Sequence, residues 1–153
     1  MSVKIQLAAR ALLLVAVALP GLSRAQDANA GIKVEVTGFR NDKGQLGCSL
    51  WHGPEGFPRD DSHILKHVWA PIKNAHGECV FAGPFPAGDY AVTLFHDENG
   101  NGKFDSNMIG YPLEGYGFSN NVVPQFRAPT FDQCKFQYAG NGSKQISVKM
   151  IYR

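Results

Sequence analysis

The sequence lacks the motifs that carry common catalytic and zinc chemistry. It contains three cysteines in 153 residues, none in a C-x-x-C pair and none clustered with histidine. Structural zinc sites usually draw on such clusters, so the sequence gives no support for one. A nucleophile elbow and a phosphate-binding glycine loop are also missing. These absences argue against a standard hydrolase or a nucleotide-binding protein.

Long hydrophobic runs are scarce as well, since only the first 25 residues contain one. A basic start precedes an apolar run over 11–19, and residues 23–25 place small side chains at the −3 and −1 positions of a cleavage point. This pattern predicts a secretory signal peptide over 1–25, followed by a polar linker over 26–30. We therefore expect an exported protein, periplasmic or extracellular, with no membrane span after cleavage.

Net charge is also nearly absent from the expected mature chain. The predicted signal holds three of the 15 basic residues and none of the 13 acidic residues. The mature chain would then carry 12 basic against 13 acidic side chains. A near-neutral chain disfavours nucleic acid as a partner, because such binding usually relies on a basic surface.

What the mature chain does contain is a repeated alternation of apolar and polar residues. Such runs occur at 32–36, 46–50, 68–72, 79–82, 90–94, 136–138 and 146–152. Alternation of this kind predicts half-buried strands, and turn residues separate the runs. The pattern indicates an all-β sandwich of about seven strands, in a single domain over 31–153.

Two segments depart from this alternation. Residues 106–131 are punctuated by glycine and proline but rich in aromatics, so we expect one long ordered loop over the sheet. Residues 60–66 begin with acidic residues that suit a helix start, which predicts a short helical turn. That turn would place His63 and His67 on one face, although two such histidines are more often solvated than metal-bound.

The most informative stretch is the loop over 97–105, which reads D-x-N-x-N-G-x-x-D. This spacing matches the first nine positions of an EF-hand calcium loop. Gly102 stands at the position that needs a sharp backbone turn. The predicted ligands are the side chains of Asp97, Asn99, Asn101 and Asp105 and the carbonyl of Lys103.

The loop lacks its closing ligand, because Met108 stands where an EF-hand has a bidentate glutamate. Glu114 lies six residues later and would have to fold back to replace it. With two carboxylates certain to lie near the centre, we expect weak Ca²⁺ binding, with a Kd of roughly 10⁻⁴–10⁻³ M. The alternative is a plain Asn/Gly turn without metal.

One disulfide is expected from the three cysteines of an exported protein. Cys48 and Cys79 both lie in short alternating runs and form the favoured pair. Cys79 with Cys134 is the alternative.

Residues 114–121 combine aromatic and amide side chains. Tyr116, Phe118, Asn120 and Asn121 would suit stacking on a sugar ring and hydrogen bonding to it. We therefore predict a ligand-binding segment here, for an envelope glycan or a protein. The alternative is that these residues cover the sheet and stabilise the long loop.

Catalysis is the weakest hypothesis. His96, beside Asp97, could act as an acid–base group in a hydrolase with Glu114 as a second carboxylate. No nucleophile accompanies them, so we expect a non-catalytic protein.

The stretch from Tyr90 through HDENGNGKFD to EGYGFSNN resembles DUF2141, a family of uncharacterised exported bacterial proteins. The segments EGFP at 55–58 and APTF at 128–131 are similar to that family too. The resemblance implies an immunoglobulin-like or transthyretin-like sandwich. It implies no activity, because the family name carries none.

Overall fold

Two β-sheets packed face to face form the part of the chain that the computed structural model describes, residues 30–153. Nine strands occur in these residues. They are β1 Gly31–Thr37, β2 Gln45–Trp51, β3 Lys66–Ala70, β4 Ile72–Lys73, β5 His76–Ala82, β6 Gly88–Asp97, β7 Gly115–Phe118, β8 Phe136–Tyr138 and β9 Ser143–Lys149. The all-β sandwich is confirmed. The predicted signal peptide and most of the predicted linker lie outside the described residues.

The first sheet has the order β4-β5-β1-β9, and the second has the order β3-β2-β6-β7. All neighbours are antiparallel except β1 and β9, which run parallel. The short strand β8 pairs with the start of β6. Strand β6 lies inside the second sheet, so the segment that follows Asp97 begins on a firmly held backbone.

The core between the sheets is built from every second side chain of the strands, as the alternation predicts. Cys48 of β2 and Cys79 of β5 lie within it and form a disulfide that joins the two sheets. The favoured pairing is confirmed. Cys134 remains a buried free thiol, and burial raises its pKa to about 12.

The expected number of strands was too low, chiefly because the predicted long loop contains β7. In this strand glycines alternate with aromatics. A Cβ at Gly115 would meet the ring of Tyr152 at 2.3 Å, and one at Gly117 would meet Leu94 at 2.8 Å. The strand therefore lies too close to the core for inward side chains, and its glycines resemble turn residues in the sequence. Strand β4 is a second addition.

The predicted helical turn over 60–66 is shorter than expected. A 3₁₀ helix spans Asp61–His63, and the Asp60 carboxylate caps it by accepting a hydrogen bond from the Ser62 N–H. The chain then enters β3, so His67 is a strand residue and does not share a helical face with His63. The predicted loop over 106–131 also leads into a 3₁₀ turn, Ser119–Asn121, and a four-residue helix, α1 Phe131–Cys134. No helix in residues 30–153 is long and apolar enough to cross a membrane.

Candidate functional site

The site begins where β6 ends, at the fully buried side chain of Asp97. One carboxylate oxygen accepts hydrogen bonds from Gln45 Nε2 and the Gly102 N–H, both at 2.9 Å. The other accepts from the Asn101 N–H at 3.0 Å. Gln45 belongs to the neighbouring strand β2, so this one carboxylate joins the loop to the sheet.

These hydrogen bonds also set the ionisation of Asp97. Burial raises the pKa of the carboxyl group, but the donors on Gln45 and on the backbone from Gly100 to Gly102 together outweigh burial and lower the pKa below its usual value. The carboxylate is therefore ionised at neutral pH. Its charge is neutralised by dipoles and not by a cationic side chain, since the donors named above are amide groups.

The other predicted ligands gather around Asp105. Its Oδ2 accepts hydrogen bonds from Asn99 Nδ2 at 2.7 Å and from Asn101 Nδ2 at 2.8 Å. The two amide oxygens accept from backbone N–H groups two residues further on, at Asn101 and Lys103. Gly102 has a φ of +76°, so its predicted sharp turn is present. The loop thus closes through its own hydrogen bonds.

Glu114 folds back onto the loop, as a replacement closing ligand would have to, but it meets backbone groups. Its two oxygens accept hydrogen bonds from the Glu98 N–H at 3.0 Å and the Asp105 N–H at 3.1 Å. Burial raises the pKa of Glu114, and the nearby carboxylates of Asp105 and Asp97 raise it further against the opposing hydrogen bonds. Glu114 therefore fastens both ends of the loop at its base.

A cation at this loop would depend on the amides and the Lys103 carbonyl as much as on the carboxylates. Across residues 30–153, no three His, Cys, Asp or Glu side chains form a group that could hold a metal ion. Two carboxylates, Asp97 and Asp105, are thus the charged groups available, while Glu114 is engaged with the backbone. The calcium site stays a prediction.

His96 is fully buried and has a hydrogen-bond partner on each ring nitrogen. Nε2 lies 2.6 Å from the Lys43 carbonyl oxygen, and Nδ1 lies 2.7 Å from the Tyr152 hydroxyl. A carbonyl can only accept, so Nε2 carries the proton and Nδ1 accepts from the tyrosine in the neutral ring. The imidazole connects β6, the turn before β2 and the C-terminal residues.

The predicted ligand-binding residues are largely used inside the molecule. Asn120 donates to the carbonyls of Gln133 and Lys135, and Asn121 accepts from the Lys149 N–H at 2.8 Å. Both asparagines adopt positive φ angles, which asparagine tolerates better than most residues. Tyr116 is buried, and Phe118 packs against a second apolar cluster under α1. Their binding role stays a prediction.

The two candidate metal histidines have separate partners. His63 lies beside Asp60, with Nδ1 3.2 Å from the carboxylate. His67 Nδ1 lies 2.9 Å from Ser49 Oγ on β2, and burial lowers the pKa of this imidazole. The proposed pair is therefore not assembled as a helical i, i+4 site.

Sequence reasoning missed a row of aromatic rings on the outer face of the second sheet. Trp69 of β3 and Phe95 of β6 meet across β2, Tyr116 of β7 lies beside Phe95, and Phe104 from the loop packs against the last two rings. Gly47 lies between Trp69 and Phe95 in register, where a Cβ would meet either ring within 2.8 Å. The alternation that places Trp69 and Phe95 on one face was the available signal.

A family model described as "Uncharacterized protein conserved in bacteria (DUF2141)" matches residues 34–147. The chain belongs to the DUF2141 family. The match spans all of β2 through β8, and hence the loop after β6, so the DUF2141 resemblance seen in the sequence is confirmed. No curated protein and no solved structure matches the chain.

We predict that Asp97→Asn lowers the free energy of unfolding of this DUF2141 protein by about 2 kcal/mol at pH 7, because charge-assisted hydrogen bonds are lost from a buried site. The folded-state pKa of Asp97 is depressed, so its contribution is present above pH 3.8 and is lost as the pH falls through the folded value. Urea unfolding across pH 2.5–7 should therefore show that the difference in free energy of unfolding between wild type and Asp97→Asn shrinks in acid.

Asp61→Asn, at an exposed carboxylate, is the matched control and should change stability little. A constant difference between wild type and Asp97→Asn down to pH 2.5 would contradict the assignment of the effect to the ionised carboxylate.

Proposed function

We propose that this DUF2141 protein is an exported, non-catalytic module of the bacterial envelope, and that its 97–105 loop takes a divalent cation weakly. One observation carries the non-catalytic part. His96 and Glu114 are the side chains that could perform acid–base chemistry. Both ring nitrogens of His96 are hydrogen-bonded inside the molecule, and both carboxylate oxygens of Glu114 accept from backbone N–H groups. The signal pattern and the Cys48–Cys79 disulfide support an oxidising compartment outside the cytoplasm.

The cation proposal is supported by the gathering of amide side chains around the Asp105 carboxylate. Asp105 Oδ2 faces two amide groups, and a divalent ion would replace those amide donors as the counter-charge. Ca²⁺ commonly takes six to eight oxygens from flexible loops, and water would complete a set drawn from Asp97, Asn99, Asn101, Asp105 and the Lys103 carbonyl. Two carboxylates with no bidentate closing glutamate give the low affinity expected above.

Titration with Ca²⁺ by calorimetry should give a Kd of roughly 10⁻⁴–10⁻³ M. At a Ca²⁺ concentration about ten times the Kd, the free energy of unfolding should rise by about 1.4 kcal/mol. Asp105→Asn removes a charge from the site without touching the buried contacts of Asp97, so it should abolish both effects. Asp61→Asn should retain both.

A second candidate is a purely structural envelope domain without metal. It is favoured by the hydrogen bonds that already satisfy both oxygens of Asp97 and both oxygens of Glu114 from within the protein. No heat and no change in unfolding at millimolar Ca²⁺ would remove the cation proposal and leave this one.

The partner we propose is an envelope glycan or protein, and the aromatic row supports the glycan. Trp69 and Phe104 keep 41% and 44% of their surfaces exposed on it, and aromatic faces suit the apolar faces of sugar rings. The edge-to-face packing of Trp69 on Phe95 holds the exposed indole in a fixed orientation.

If the row binds sugar, a glycan array probed with the processed protein should show at least one ligand, and Trp69→Ala should weaken binding about tenfold or more because the largest exposed ring is lost. Phe126→Ala, at an exposed aromatic on another loop, should leave the signal unchanged. An array without a binder, or equal losses from both variants, would count against the glycan.

A further inference from the structure

An apolar hairpin projects beyond the acidic loop and has no assigned purpose. After Asp105 the chain makes a narrow excursion in which Ser106 bridges to Pro112, and the Leu113 N–H donates to the Asp105 carbonyl at 3.0 Å. At its tip, the side chain of Met108 is fully exposed and that of Ile109 is 88% exposed. Two aliphatic side chains at the end of a hairpin are costly to leave in water unless another surface covers them.

The tip is not a frayed loop, because its backbone is hydrogen-bonded within itself. The Asn107 N–H donates to the Tyr111 carbonyl, and the Gly110 N–H donates to the Asn107 carbonyl, both at 2.9 Å. The side-chain oxygen of Asn107 accepts from the Ile109 and Tyr111 N–H groups. Four N–H groups of the turn therefore have partners inside the turn, which lowers the cost of moving it from water into the interfacial layer of a membrane.

Uncharged side chains make up the hairpin, and charged side chains lie beyond its base. Residues 106–113 contain no charged side chain. Tyr111, half exposed, lies behind the tip, and the exposed Lys103 precedes the hairpin. An aliphatic end, an amphipathic aromatic ring and a basic side chain in that order correspond to the acyl, interfacial and phosphate layers of a lipid bilayer.

We propose that the Met108–Ile109 tip inserts into the interfacial layer of a lipid bilayer and holds the domain reversibly at a membrane surface. A lipid layer fits better than a protein groove for two reasons. The tip is convex and four of its N–H groups are bonded within the turn, and it carries no charged group that would select one protein surface. With two exposed aliphatic side chains at the tip, the attachment is weak and reversible, as for a single short anchor. The proposal does not depend on the cation or on the aromatic row.

The test uses the exported form of the protein with vesicles of phosphatidylethanolamine and phosphatidylglycerol, in EDTA so that divalent ions play no part. The wild type should sediment with the vesicles, and 0.5 M NaCl should leave most of the binding in place because the tip is uncharged. Met108→Ser with Ile109→Ser should lower the partition coefficient by about a hundredfold, since each aliphatic side chain contributes about tenfold. Phe126→Ser, at an equally exposed apolar residue on another loop, should leave it unchanged.

A second measurement locates the contact. Ile109→Cys can be labelled with an environment-sensitive fluorophore, because Cys134 is buried with a pKa of about 12 and the other two cysteines are paired. The emission should shift to the blue on addition of vesicles.

Three results would overturn the proposal. The first is that the wild type fails to bind pure lipid vesicles. The second is that the tip and Phe126 variants lose vesicle binding equally. The third is that the fluorophore at position 109 stays solvated while the protein binds. Binding to native membranes but not to protein-free vesicles would indicate a protein partner and would overturn it as well.

Discussion

The carboxylate of Asp97 is the contact on which the arrangement of the 97–114 segment depends. It lies fully buried at the last position of β6, where it receives donors from Gln45 of the adjacent strand and from Asn101 and Gly102 of the loop. A buried carboxylate without donors would strongly destabilise the fold. The end of the strand and the loop must therefore form together, and the register of the sheet fixes the loop.

The polar side chains near this contact form hydrogen bonds within the molecule, whereas the apolar side chains at the hairpin tip are exposed. Glu114 fastens the base of the loop, and His96 joins the strand end to Lys43 and Tyr152. The chain beyond Asp105 is then held as a hairpin whose tip exposes the aliphatic side chains of Met108 and Ile109. In this family member the side chains of His96 and Glu114 are held by internal hydrogen bonds, while aromatic and aliphatic side chains are exposed on the second sheet and at the hairpin tip.

The sequence was sufficient to predict the features that depend on residues close together along the chain. Alternation placed most strands, the pairing of Cys48 with Cys79 followed from two such runs, and Gly102 marked the sharp turn. Strand β7 was missed because its inward positions are glycines, which are required by contact with Tyr152 and Leu94 and are invisible as a hydrophobic pattern. The backbone partners of Glu114 were also unpredictable, since they depend on where the chain returns after an excursion of nine residues.

The most direct measurement of the central claim is amide hydrogen exchange at Asn101 and Gly102, followed by NMR in the absence of divalent ions. Both amides belong to an exposed loop, and the buried carboxylate is what should protect them. We predict that both amides exchange at least a hundredfold more slowly than the same residues in an unstructured peptide; exchange at the unstructured-peptide rate would contradict the claim.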